Sequence, residues 1–117
     1  MPKIKVKIND IAYWFPINTI DNNQLGEENP DWETEKLEKR TGVYKRHIAA
    51  NDETALDLSF NACKKLFAQQ GYENATAMGI DGIIYCTQSP DYIMPPNSCV
   101  LHKLLGLGEK VFAFDYN

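Results

Sequence analysis

The chain has 117 residues, 44% of them apolar, and a formal net charge of -4 at pH 7 with a pI near 5.1. That balance fits one compact globular domain, or a piece of a larger one, and excludes the composition of a disordered chain. Its acidity argues against nucleic acid as a partner. No apolar run in it approaches the roughly 20 residues that cross a bilayer; no membrane partner and a cytoplasmic location are the expectations.

In chain order, Ile4, Val6 and Ile8 alternate with Lys3, Lys5 and Lys7, the period of a strand with one wet face. The alternation resumes one residue out of step at Ile11, Tyr13 and Phe15, so a bulge near Asn9-Asp10 is expected, with Pro16 ending the strand. Residues 19–40 are polar, anchored by Ile20, Leu25, Trp32 and Leu37. Asn29-Pro30-Asp31 reads as a turn and helix start, and Glu33 to Arg40 as a short charged helix closed by Gly42. Val43 to Ile48 reads either as a short strand or as an exposed loop.

The clearest predicted helix runs from Thr54 to Gln70, with Leu56, Phe60, Cys63 and Phe67 on one stripe and Gly71 placed as a left-handed cap. Ile80 to Thr87 is a short apolar run without alternation, as in a parallel-sheet strand covered on both faces. Pro95-Pro96-Asn97 introduces a second helix carrying Val100, Leu101, Leu104 and Leu105, stopped by Gly106. Val111 to Asp115 is a further buried strand. This alternation of strands and helices gives an α/β fold class. A doubly wound sheet places its chemistry just past the carboxyl ends of such strands.

Three widely spaced cysteines, Cys63, Cys86 and Cys99, form neither a disulfide framework nor a zinc site, and each reads as a small buried hydrophobe. His47 and His102 stand apart and read as structural; no metal site is expected, and no Gly-rich nucleotide motif is present. Two stretches could carry chemistry. Arg40-Thr41-Gly42-Val43-Tyr44-Lys45-Arg46-His47 concentrates basic groups suited to phosphate oxygens, although spacing alone favours a solvated loop. Cys86 to Pro96 follows a buried strand and precedes a helix, the place of a binding loop, and reads equally as a Pro-rich connector.

Five segments, in order, resemble the β-ketoacyl-acyl-carrier-protein synthase III family of thiolase-fold condensing enzymes. Arg40-Thr41-Gly42-Val43-x-x-Arg46-His47-Ile48-Ala49 is similar to its "RTGI-x-x-RHIA" segment, and Glu53-Thr54-Ala55-x-Asp57-Leu58 to its next landmark. Thr87 to Pro95 resembles "T-x-S-x-D-x-x-x-P", while Leu105-Gly106-Leu107 and Ala113-Phe114-Asp115 resemble "LG-…-AFD". The resemblance implies a thiolase-like layered fold, with residues 1–117 as an incomplete amino-terminal portion of the condensing-enzyme domain. It implies acyl transfer from a coenzyme A thioester to a cysteine, then decarboxylative condensation with malonyl-acyl carrier protein in fatty-acid or related acyl biosynthesis.

By the same resemblance no catalytic residue lies within the chain. The nucleophilic cysteine is expected just beyond Asn117, and the chain alone is expected to be inactive. Arg40 matches an arginine of the coenzyme A channel, Thr87 and Gln88 match residues near the acyl pocket, and Met94 matches a side chain reaching the partner protomer's pocket. Coenzyme A enters as a substrate thioester rather than a permanent cofactor. Acyl carrier protein, acyl-CoA and a second copy in a homodimer are the implied partners. One departure stands out: where the family often has a tryptophan that stacks on adenine, this chain has Lys36, with Trp32 one helical turn earlier. A non-catalytic homologue or assembly partner, and other enzymes of the fold such as thiolase and hydroxymethylglutaryl-coenzyme A synthase, are the alternatives.

Overall fold

A computed structural model of the chain describes residues 3–116. Its elements run β1 (Thr19–Asp21), α1 (Asn22–Glu28), α2 (Thr34–Thr41), β2 (Lys45–His47), α3 (Ala55–Gln69), α4 (Ala75–Met78), β3 (Gly82–Cys86), α5 (Asn97–Leu104) and β4 (Phe112–Tyr116). They fall into two compact units, one comprising Phe15–Thr54 and the other the chain up to Trp14 together with everything from Ala55 onward.

In the larger unit β3 and β4 pair in parallel, with Gly82 opposite Phe112 and Cys86 opposite Tyr116. Parallel neighbours need a crossover, which α5 supplies. Leu56 of α3, Tyr85 of β3 and Leu101 of α5 form the buried cluster, with Phe60, Cys63, Ile83, Val100 and Leu105 packed around it. The stripe on α3 and the apolar side of α5 therefore meet one face of the sheet, as the 3.6-residue period requires. Inside the cluster Tyr85 Oη lies 2.9 Å from Ser59 Oγ, so the buried phenol keeps a polar partner.

The other face is bare. Ile84 is 66% exposed, and Phe112, Phe114, Tyr116 and Cys86 share its side of the strands. The reading of β3 as a strand covered on both faces, and of β4 as a buried one, is thus corrected: among the described residues, helices cover one face alone. Two of the three cysteines, Cys86 and Cys99, are exposed rather than buried. On the bare face the Phe112 ring lies across Gly82, and a Cβ added there would fall 2.2 Å from its tip. The strand ladder needs glycine at this position, or the ring must swing away.

Residues 3–16 form neither strand nor helix, against the expectation of a bulged strand. Ile4 is 89% exposed, and Val6 and Ile8 are exposed as well. An alternating pattern makes a strand only where another backbone takes its hydrogen bonds, and no strand among the described residues pairs with this segment. Lys65 of α3 instead donates to the Tyr13 carbonyl at 3.2 Å and sits over its ring.

In the smaller unit β1 and β2 pair antiparallel, Thr19 opposite His47 and Asp21 opposite Lys45. This settles the open reading of residues 43–48 in favour of a strand, though a short one. Gly42 takes a φ of 68°, and its N–H returns to the Glu38 carbonyl, a left-handed cap that ends α2 as anticipated. Helix α1 had no apolar period to announce it. A capping box starts it: Asp21 accepts from the Gln24 N–H while the Gln24 side chain accepts from the Asp21 N–H.

Candidate functional site

The loop between β3 and α5 is anchored from below by three side chains that hydrophobic patterning does not reveal. Helix α5 begins after Pro96, which has no side-chain acceptor to offer the first turn's free N–H groups. Asp115, near the end of β4, takes that role. Its Oδ2 accepts from Asn97 N at 2.9 Å and its Oδ1 from Ser98 N at 2.8 Å. A carboxylate at a helix N-terminus also meets the positive end of the helix dipole.

Asn97 is 0% exposed, and its side chain faces Asp91 in the middle of the loop. Asn97 Nδ2 donates to Asp91 Oδ1 at 3.0 Å, and Asn97 Oδ1 accepts from the Asp91 N–H at 3.1 Å. The same Asp91 Oδ1 accepts from Leu56 N at 3.4 Å, in the first turn of α3. Two carboxylates thus cap two helices, joined through one buried amide.

Desolvation would raise the Asp115 carboxyl, yet its hydrogen bonds from Ser98 and Asn97 outweigh this and hold it below the ordinary aspartate value. The two backbone amides bond the carboxylate at normal hydrogen-bond distance, whereas the buried Ser98 hydroxyl has no partner of normal geometry. Above this base, Thr87 is half-buried and its Oγ1 accepts from Ser89 N at 3.0 Å. Gln88 is exposed, and Met94 is 77% exposed. Met94 therefore does not fill the loop's own interior; its side chain is available to something outside it.

Arg40 stands exposed in the last turn of α2, in the smaller unit. Its basic neighbours do not act together. Arg46 donates to Asn22 Oδ1, and His47 stacks on Phe15 at 4.8 Å while its Nδ1 lies 2.6 Å from the Pro16 carbonyl oxygen. His102 likewise meets a backbone carbonyl, its Nε2 3.2 Å from the Gly108 oxygen. Trp32 is exposed and lines a hollow of about 360 Å³ with Glu33, Thr34, Glu35 and Lys36, where Lys36 pairs with Glu33.

No family model matches the chain. A β-ketoacyl-[acyl-carrier-protein] synthase III of Helicobacter hepaticus is 35% identical over 119 aligned residues, covering 98% of this chain and 33% of its own length. The corresponding protein of Streptococcus agalactiae is 34% identical over 112 residues, covering 93% of this chain and 32% of its own. A solved 3-oxoacyl-(acyl-carrier-protein) synthase III superposes with a TM-score of 0.79 at 43% identity, over 94% of this chain and 32% of that one. Over nearly its whole length the chain is similar to a part of β-ketoacyl-acyl-carrier-protein synthase III proteins.

It spans about a third of the length of the synthase III relatives it matches. The fold extends further: OleA of Xanthomonas campestris superposes with a TM-score of 0.74 at 20% identity. The architecture is thus the thiolase-like one expected from the motifs. Burial pushes the Cys63 thiol up, away from the thiolate form, so this cysteine is poorly suited to attack a thioester. Asp91 and Asp115 are motif positions to which the resemblance gave no role, and Asn97 lies outside the motifs. Their signal was a helix opening on Pro-Pro, whose first N–H groups had to find an acceptor elsewhere.

Proposed function

We propose that the chain is part of an acyltransferase that condenses an acyl-CoA with malonyl-acyl carrier protein. The observation that carries the reading is the match to synthase III proteins over nearly the whole chain, in sequence and in fold alike. In this chemistry a cysteine thiolate attacks the acyl-CoA carbonyl, and coenzyme A leaves as its thiol. Malonyl-acyl carrier protein then loses carbon dioxide, and the resulting enolate attacks the acyl-enzyme. The 3-oxoacyl-carrier product leaves, and the thiolate is regenerated.

The nucleophile belongs just beyond Asn117 in the encoding gene, on the segment that continues from β4. Arg40 holds a phosphate of the donor's coenzyme A, a role for which an exposed guanidinium is suited. Thr87 and Gln88 border the acyl pocket. In a homodimer Met94 closes the partner protomer's pocket, and its 77% exposure on the loop supports that role over a place in the loop's own core.

The test uses the full product of the gene that encodes this chain, supplied with acyl-CoA donors of graded length and malonyl-acyl carrier protein. Formation of 3-oxoacyl-carrier product supports the reading; none with any donor identifies a non-catalytic homologue instead. Arg40→Ala should raise the donor KM roughly tenfold, since a charge-assisted contact is worth about 1–3 kcal/mol. Met94→Ala should favour longer donors and Met94→Trp shorter ones, at about 0.8 kcal/mol for each methylene admitted or excluded. A flat length profile in both removes Met94 from the pocket.

A further inference from the structure

We propose that Asp91, Asn97 and Asp115 are positioning residues that fix the loop between β3 and α5, and through it the acyl lengths that the loop admits. The second half of this statement rests on the acyl-transfer reading. The first half does not.

The loop has little else to hold it. Gln88, Ser89, Pro90, Tyr92, Ile93, Met94 and Pro95 are all exposed, so apolar burial does not fix its path. Asp91 is the residue in its middle that turns inward, and it is held at two points by one side chain. Asn97 accepts from its backbone N–H and donates to its carboxylate. Two contacts on one residue set its orientation as well as its position. Asn97 is itself held by Asp115, which accepts from its backbone N–H at 2.9 Å. The path from β4 to the loop is therefore three side chains long, with no apolar contact in it.

Position 97 calls for an amide. A carboxylate there would still accept from the Asp91 N–H but would set a second negative oxygen against Asp91 Oδ1, now 3.0 Å from the Asn97 nitrogen. An apolar side chain of similar size would leave the Asp91 N–H without its acceptor. Exchanging the two residues would restore the 91–97 pair, because an amide at 91 could donate to a carboxylate at 97, although its nitrogen would then face Leu56 N and that contact would be lost. That reversal is what separates a specific anchor from general packing.

Native-state hydrogen exchange on the 117-residue chain reads the anchor directly. Asn97→Asp should speed exchange at the Asp91 and Leu56 amides by roughly tenfold, with Ile84 in β3 little changed. The double variant Asp91→Asn/Asn97→Asp should bring the residue 91 amide back towards its original rate, while Leu56, which loses its acceptor, should stay fast. Unchanged amides in the single variant, equal loosening at Ile84, or no recovery of the residue 91 amide in the double variant each overturn the anchor.

The selectivity half is read in the active full-length protein. There Asn97→Asp should alter the ratio of kcat/KM between acetyl-CoA and a longer donor by several-fold, and the double variant should reverse the change. An unaltered ratio overturns the selectivity claim. A wild-type protein without transfer overturns the acyl-transfer reading and that claim together, while the exchange rates still decide the anchor.

Discussion

The larger unit closes on Leu56, Phe67, Ala75, Tyr85 and Leu101, whereas in Phe15–Thr54 the buried side chains are Pro16 and Asn22. Asn22 is that unit's hub. Its Nδ2 donates to Glu38 Oε2 and to the Val43 carbonyl, both at 3.0 Å, and its Oδ1 accepts from Arg46. One amide thus ties the start of α1 to α2 and β2. The larger unit uses Asn97 in a similar way, but beside an apolar cluster rather than in place of one. Short elements without large buried side chains are held by directed bonds, and such a unit should fail by losing one partner rather than one methylene.

The largest effect expected from this contrast is self-association through the larger unit. Its bare sheet face carries Ile84, Phe112, Phe114 and Tyr116, the kind of apolar patch that recruits a partner. Sedimentation at rising concentration should show assembly of the isolated chain, relieved by Ile84→Lys with Phe114→Lys. A clean monomer at high concentration would count against a sheet face that needs covering.

Next is Leu101→Ala, which opens a cavity between α5 and β3 and should cost about 2–5 kcal/mol in urea unfolding. Asn22→Ala should cost less, about 1–3 kcal/mol, by stranding Glu38, the Val43 carbonyl and Arg46. Its exchange signature should appear first at β1 and β2. If Asn22→Ala cost nothing there, the hub reading of the smaller unit would fail.

The contrast also explains what could be read from the residues alone. Helices α3 and α5 showed themselves because Leu56, Phe60, Leu101 and Leu105 fall on the stripe of a packed face, and strand β3 as a short apolar run. Helix α1 and strand β1 did not, because Asn22 and the Asp21–Gln24 box leave no hydrophobic period. The segment carrying Ile4, Val6 and Ile8 misled for the opposite reason: its pattern is that of a strand, but a pattern does not supply a neighbour. Arg40, Thr87, Gln88 and Met94 were named from motif resemblance. Asp91 and Asp115 stood in the motifs without a role, since a carboxylate on β4 capping a helix earlier in the chain is a contact only the fold brings about.

The smallest effect is a pH dependence. The folded value of Asp115 lies below its unfolded one, so between the two the unfolded chain binds more protons and stability rises with pH. The contribution is complete above about 3.9, the usual aspartate value, and is lost as pH falls through the lowered folded value. Asp115→Asn should therefore flatten the acid limb of the urea midpoint against pH. An unaltered limb would mean that the α5 amides do not favour the charged form.

The Phe112 ring over Gly82 has a further consequence for how the two parallel strands find each other. Sliding β4 by one residue would turn every side chain to the wrong side of the sheet. Sliding it by two could seat Phe114 on Gly82 instead, but would carry Asp115 about 6–7 Å along the strand axis, away from Asn97 and Ser98. The mispaired ladder would thus leave α5 with an uncapped first turn. Alignment of the strands and closure of the helix end are a single choice, and a chain that errs in one loses the other.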